Sequence, residues 1–346
     1  MIEPIRENSF ICKNDDSLYE TCKKEFSFLR NKKFFNALIL ENRLFINKKS
    51  VLEIIGKNTK EPLFSKKISE LNTKKGDSVV LITSQSEEPP ADLNYEIIFE
   101  DEELMIVSKS GNCPVHPAGK YYFNSLQIQL ERDGKGTLHP AHRLDRETSG
   151  LIIFAKNKNT LSKLHKSFAK GEIKKRYEAI VFGNTPKEKT IEESLIQKTV
   201  KTKEGIFRDI VVCSDEKNSK QAITSFKTKR HSKNKNFSLL SIKIIGGRKH
   251  QIRVHLSCKG WPLVGDSLYG NSKEEFIELH KLIREGHPMT NDKIKSIKKK
   301  IIEKTFSKRQ LLHSSFLKFK HPIKGDCLTF EIPLTKDINS FIEEWF

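Results

Sequence analysis

The chain of 346 residues sets Lys+Arg 63 against Asp+Glu 44, a formal net charge of +19 with a sequence pI ≈ 9.5. That length favours two domains. The positive surplus points to a polyanion such as nucleic acid, with a general Lys-rich composition as the plainer explanation. No apolar run approaches the ~20 residues of a membrane span, and the six cysteines form no CxxC pair and no zinc spacing, so they read as free thiols in a reducing compartment.

Residues 1–25 are polar, lack a clear period and a hydrophobic signal core, and read as a loosely held arm of a cytoplasmic protein. KKFFNALILENRLFINKKS then predicts an amphipathic helix over Lys33–Arg43, with Phe34, Ala37, Leu38 and Leu40 on one face. A strand follows at Leu44–Asn47, and LNTKKGDSVVLITS adds a turn and a strand at Val79–Ile82. Residues 26–86 thus make a small α+β module. Its basic residues suit an RNA backbone; a purely structural domain fits them nearly as well. SEEPPAD, residues 86–92, breaks both periods and is the linker.

YEIIFEDEELMIVSKS predicts a hairpin, PVHPAGKYYFNSL a Pro-flanked loop, and NSLQIQLERD a helix with Asn124 as N-cap candidate. HRLDRETSG, residues 142–150, is the chemically densest stretch, and LIIFAK after it reads as a buried strand. A helix over Thr160–Ala169 precedes the strand KKRYEAIVFG. FSLLSIKII, 237–245, opens through Gly246–Gly247 into a helix at Arg248–Cys258. Residues 271–309 read as a charged, helical, non-core insertion, touching RNA or merely solvated. Strands and a closing helix at FIEEWF return after it.

Asp145 is the candidate catalytic carboxylate, since its apolar neighbours demand a partner for it. Thirteen of the basic residues are Arg, and five of these fall in three stretches, as Arg143, Arg146, Arg176, Arg248 and Arg253. If Arg253 meets Asp145, the ion pair orients the carboxylate and keeps it ionised for nucleophilic attack or proton abstraction; a structural salt bridge fits the same residues. Tyr177 follows Lys174, Lys175 and Arg176, an arrangement suited to a base drawn out of a stack, or to simple strand packing. His142 and His250 suit proton shuttling or phosphate binding, whereas His255 reads as structural. No P-loop, zinc-deaminase signature, GxSxG elbow or dinucleotide fingerprint is present.

HRLDRETSGLIIFAK resembles the signature of the RluA-type pseudouridine synthases. KKRYEAIVFG and GRKHQIRVHLSCKGWPLVGDSLYG are similar to that family's second and third motifs, and LLHSSFLKFKHPIKGD to its C-terminal pattern, with Ser314 in place of Ala. Gly246 stands where the family usually has Thr. The resemblance covers about 93–270 and 310–346. It implies an α+β catalytic domain, 93–346, around a bent antiparallel sheet, acting on RNA as a monomer without metal or cofactor. The module before it resembles a divergent S4-like RNA-binding domain, and PVHPAGKYYFNS resembles the subgroup that includes anticodon-loop tRNA enzymes. The implied reaction isomerises a uridine in a tRNA anticodon stem-loop, with large-subunit rRNA as the alternative; a non-catalytic RNA-binding protein on the same fold is the rival class. By the same resemblance Asp145 attacks C1′ or takes the 2′ proton, Arg253 pairs with it, and Tyr177 stacks on the uracil. Arg143 fills the gap the flipped uridine leaves, and RNA contacts are expected from Arg143, His142, Lys175, Arg176, Arg248, His250 and Gln251.

Overall fold

The computed structural model describes residues 5–25, 32–40, 42–56, 63–84, 88–118, 121–201, 207–234, 236–284 and 291–346. Parts of the expected arm (1–4), linker (86–87), Pro-flanked loop (119–120) and insertion (285–290) lie outside these residues. The chain forms two compact units: Met1–Pro90 with Pro117–Asn124 and Leu282–Met289, and the remainder, Ala91–His116, Ser125–Lys281 and Thr290–Phe346.

The first unit holds β1 (Ile5–Ile11), β2 (Asp16–Ser17), α1 (Leu18–Glu25), α2 (Lys32–Leu40), β3 (Leu44–Ile46), β4 (Lys49–Ser50), α3 (Val51–Ile55), α4 (Leu63–Glu70), β5 (Asn72–Thr73) and β6 (Ser78–Ser84). Its sheet runs β1-β6-β3-β4. The expected loose arm is therefore corrected in part. β1 pairs antiparallel along all of β6, and Cys12, Leu18 and Cys22 lie in the unit's core. Backbone pairing, invisible to a hydrophobic period, holds this polar segment. Among the described side chains of α2, Phe35, Leu38 and Ile39 are buried and Leu40 is exposed, so Leu38 lies on the buried face as the spacing predicts and Leu40 does not; the side chains of Phe34 and Ala37 lie outside the described residues.

After residue 93 come β7 (Tyr95–Glu100), β8 (Leu104–Lys109), α5 (Leu126–Arg132), β9 (His139–Pro140), β10 (Ser149–Ala155), α6 (Lys158–Ala169), β11 (Lys174–Phe182), β12 (Glu188–Glu192), β13 (Leu195–Lys201), β14 (Phe207–Cys213), β15 (Ile223–His231), β16 (Phe237–Ile245), α7 (Gln251–Cys258), α8 (Lys273–Arg284), α9 (Asp292–Thr305), β17 (Leu312–Lys320), β18 (Cys327–Glu331) and α10 (Lys336–Trp345). Ten of these strands form one sheet, with β12-β15-β16-β11-β17-β10-β8-β7 as its path and β9 and β18 attached to β10 and β17. Its pairs are antiparallel except β10 with β17, which is parallel through Ser149–His313 and Gly150–Ser314. The sheet is otherwise the antiparallel one expected of an α+β catalytic domain, with this short parallel pair at its centre.

β10 is buried along its whole length, as a continuous apolar run in a central strand requires. Its side chains alternate between two cores. Ile152 and Phe154 join Met105 and Val107 on one face; Leu151 and Ile153 join Leu104 and Ile106 on the other. Gly150 has φ +108, and a Cβ there would stand 2.3 Å from the Ser314 carbonyl oxygen. Gly150→Ala is expected to cost about 3 kcal/mol or more, because backbone strain and overlap add; a denaturant titration measures it, and an unchanged midpoint would contradict the close approach.

The insertion is helical as expected, but it is not all surface. Ile294 and Ile297 of α9 are buried, a narrow stripe hidden among lysines in the sequence.

Candidate active site

The HRLDRETSG loop enters β10 at the middle of the sheet. Its turn closes through Thr148 N–H to the Asp145 carbonyl at 3.0 Å. The buried Lys109 Nζ donates to the Arg146 carbonyl at 3.0 Å and to that of Ser110 at 2.7 Å, and burial pulls its pKa down to about 7.

α7 supplies the partner. Its N-terminus is shaped by Gln251, whose Oε1 accepts from Gly247 N–H and Arg248 N–H, both at 2.9 Å, while Nε2 donates to the Ile223 carbonyl at 2.9 Å. His250 takes the left-handed conformation at the helix start, φ 56. Arg253 then falls on the first turn of the helix, facing the loop. Its Nη1 donates to Asp145 Oδ2 at 2.9 Å. Its Nε and Nη2 make a bidentate pair with Asp266, at 2.7 and 3.0 Å. The guanidinium also lies 5.0 Å from the Tyr269 ring centre. Arg253 thus bridges two carboxylates, one fully buried and one with its side chain 17% exposed.

Burial works to raise the Asp145 carboxyl, but Arg253, His250 and Arg143 outweigh it and hold it below its ordinary value. It is therefore ionised at neutral pH. His250 Nε2 stands 3.9 Å from Asp145 Oδ1, and its Nδ1 meets the Tyr269 hydroxyl at 2.8 Å. Burial pushes His250 down to about 4, so the ring is neutral at pH 7. With the hydroxyl donating to Nδ1, the ring carries its proton on Nε2, facing Asp145.

Tyr177 is 5% exposed and lies opposite Ser314 across β11 and β17. The register shifts between Arg176 and Tyr177, and such a bulge re-aims a side chain beside a site. Burial and then the charge of Asp145 raise the phenol well above its ordinary value, against a smaller opposing effect of Ser314. The hydroxyl therefore keeps its proton at neutral pH.

The five arginines singled out in the sequence do not all converge. Arg143 is exposed and near enough to lower the Asp145 pKa. Arg176 pairs with Glu331 and lies 4.8 Å from the Phe316 ring centre. Arg248 is exposed, with Nε 3.3 Å from the Gln221 carbonyl. Arg146 pairs with Glu147 at 2.8 Å. Lys175 is half-buried over Phe168, and burial pushes it down to about 8.

Two expected RNA contacts are corrected. Gln251 is 3% exposed and spends its amide on backbone groups of the turn and strands. His142 Nε2 accepts from Ile153 N–H at 3.1 Å, its ring packs on Phe168, and burial pushes it down to about 3, so it is no phosphate-binding cation. His255 is buried and bonded at both nitrogens, to Thr224 and to the Glu193 carbonyl, as its late helical position suggests.

Sequence reading missed Asp266 and Tyr269. The glycines of LVGDSLYG signalled a turn and drew attention from the acid between them; Asp266 also accepts from Leu268 N–H and Tyr269 N–H, both at 2.9 Å. Among the described residues, one group that could hold a metal ion converges away from Asp145: Glu193, Cys213 and Cys258, with the two Sγ atoms 3.0 Å apart. These residues are too far apart in sequence to show as a spacing, and Lys259 already engages Glu193.

An ionised, pre-oriented aspartate beside a buried tyrosine, in a strongly cationic chain, suits an enzyme acting on a base drawn out of RNA. Comparison with known proteins gives the class directly. Residues 103–258 match the RNA pseudouridylate synthase family model. The chain is 32% identical over 258 residues to ribosomal large subunit pseudouridine synthase D of Zymomonas mobilis, covering 72% of each protein. It is 34% identical over 199 residues to the mitochondrial tRNA pseudouridine(32) synthase of Saccharomyces cerevisiae, covering 57% of this chain and 42% of that protein. The solved structure of human RNA pseudouridylate synthase domain containing 1 shares the fold, with a TM-score of 0.51 at 22% identity over 74% of this chain and 96% of that one. The chain belongs to the RluA-type family of RNA pseudouridine synthases. It is an isomerase that converts uridine in RNA to pseudouridine.

Proposed function

We propose that Asp145 carries the isomerisation and that the substrate is a uridine in a tRNA anticodon stem-loop. The observation that carries the first part is the Arg253 bridge, which fixes one oxygen of Asp145 and leaves the carboxylate partly open. Two routes start from it: attack on C1′ of the ribose, or removal of the 2′ proton. Both need an ionised, oriented carboxylate. The glycosidic bond breaks, the uracil turns, C5 bonds to C1′, and the C5 proton leaves.

In this reading the Tyr177 ring stacks on the uracil, and its protonated hydroxyl accepts the C5 proton only as it passes on its own. Arg143, exposed on the same loop, fills the gap left in the RNA stack. Lys175, Arg176, Arg248 and the edge of His250 contact backbone or base, while His142 and Gln251 act from inside the protein. The first unit serves as an S4-like RNA module, a reading supported by its α+β make-up. The enzyme works as a monomer without metal or cofactor, in the cytoplasm, whose reducing setting suits six free cysteines.

The tRNA assignment rests on the PVHPAGKYYFNS loop and on the yeast relatives named as tRNA pseudouridine(32) and (31) synthases. Large-subunit rRNA is the second reading, favoured by the name of the Zymomonas relative. Deleting the gene and mapping pseudouridine across tRNA and rRNA separates them. Loss of one anticodon stem-loop position supports the first; loss of a large-subunit position overturns it.

Tyr177→Phe is expected to keep RNA affinity, because the stacking face, worth ~1–3 kcal/mol, survives. Tyr177→Ala should lose that affinity. If the hydroxyl moves the C5 proton, Phe should also lose most of the single-turnover rate. A Phe variant at wild-type rate would restrict Tyr177 to stacking.

A further inference from the structure

We propose that Arg309 is a positioning residue for the reaction: it sets the Asp145 loop from behind while its main chain braces the loop that carries Asp266. The proposal rests on the reading of Asp145 as the catalytic carboxylate.

Arg309 follows α9 and lies 160 residues beyond the loop in sequence, yet it is 9% exposed and bonded across its whole guanidinium. On one side Nη1 donates to the Glu147 carbonyl at 2.9 Å and Nη2 to Ser149 Oγ at 3.3 Å, both within HRLDRETSG. On the other, Nε and Nη2 grip Asp337 at the start of α10, at 2.6 and 2.9 Å. Only a planar fork can reach both sides; a Lys ammonium is a single point of charge. Gly111 makes room for this side chain, since a Cβ there would lie 2.4 Å from Arg309 Cδ.

The neighbour of Arg309 continues the contact. Gln310 Nε2 donates to Thr148 Oγ1 at 2.6 Å, so three consecutive loop residues, 147 to 149, are held by one dipeptide. The Arg309 main chain meets the opposite loop. A Cβ on Gly265 would stand 1.7 Å from the Arg309 carbonyl oxygen, so the two backbones touch one residue before Asp266. Leu311 N–H donates to the Val264 carbonyl at 2.8 Å beside it. Asp145 and Asp266 are the two carboxylates that Arg253 joins. Arg309 therefore fixes the separation that the Arg253 bridge needs, without touching Asp145, Arg253 or a substrate.

The test compares Arg309→Lys with Asp337→Asn, using single-turnover rate, RNA affinity, thermal midpoint and the pH profile of the rate. Asp337→Asn breaks the grip on α10 but leaves the loop-facing bonds. Arg309→Lys is expected to lower the rate by about 10–100-fold, as small misplacements do, with RNA affinity within about twofold, because phosphate contacts set it. Its acid limb should move to higher pH: Asp145 is faced by Arg253, His250 and Arg143, and a loop drifting from Arg253 loses the closest charge. Asp337→Asn should lower the midpoint while the rate and pH profile stay near wild type. Gln310→Met, which keeps bulk and drops the Thr148 bond, offers a milder second probe if Arg309→Lys does not fold; it should lower the rate with an unchanged midpoint for RNA binding.

A folded Arg309→Lys with wild-type rate and acid limb overturns the proposal. So do equal losses of stability in both variants with no change in rate, which mark a purely structural brace. If Asp145→Asn retains activity, the catalytic reading itself has failed; if Asp145→Asn is dead while Arg309→Lys and Gln310→Met are unaffected, only the positioning role falls.

Discussion

Asp145→Asn should reduce single-turnover isomerisation by at least ~10³-fold, the scale on which removing a group from proton transfer is felt, while RNA affinity stays within about twofold. The substitution keeps the size of the side chain and removes its charge. Arg253 stays paired to Asp266 through two bonds, so the helix that presents it does not move. Affinity survives because phosphate contacts, and not this carboxylate, supply most of it. Single-turnover assays with a labelled stem-loop, alongside filter binding, separate the two effects. A variant turning over within tenfold of wild type would remove Asp145 from the chemistry.

The second large effect is on stability. Arg253→Met should destabilise the protein by about 3–5 kcal/mol, because it strands buried carboxylates without a counter-charge. From the sequence alone the stranded partner is Asp145. The geometry moves most of the cost to Asp266, which is fully buried and loses two bonds where Asp145 loses one. Adding Asp266→Asn to Arg253→Met should therefore recover more stability than adding Asp145→Asn. Arg253→Lys should keep part of the fold energy and lose much of the rate, since an ammonium cannot bond both carboxylates in the same geometry. Denaturant midpoints for the single and double variants measure each coupling. Additive effects between Arg253 and Asp266 would contradict the bridge.

The parts of this site that were legible in the sequence are those where polar chemistry interrupts apolar pattern. HRLDRETSG stands against LIIFA, and GGRKHQIR stands against FSLLSIKII, so both the strands and the functional ends show at once. The meeting of Asp145 with Arg253 could be expected from chemistry, because a partly buried acid needs a cation. What stayed hidden depends on direction or on distant pairing. Gln251 and His142 look like RNA-facing polar residues until the turn and β10 show which way they point. Asp266 sits among glycines that announce only a turn. Arg309 lies beyond a Lys-rich helix that masks it. The parallel β10–β17 pair joins residues more than 160 positions apart, which no local period encodes. β1 was obscured for another reason: backbone bonds to β6 hold it, and Phe10 packed on the core is too little to show as an apolar period.

The most direct measurement of the central claim follows the C5 hydrogen. Pseudouridine formation replaces the C5–H bond of one uridine by the new C5–C1′ bond, so RNA transcribed with [5-³H]uridine releases tritium to water as the reaction proceeds. Purified protein should release one equivalent from its RNA substrate, and Asp145→Asn should release none while still binding that RNA. No release from any tRNA or large-subunit rRNA transcript, or equal release by the Asp145→Asn variant, would contradict the account.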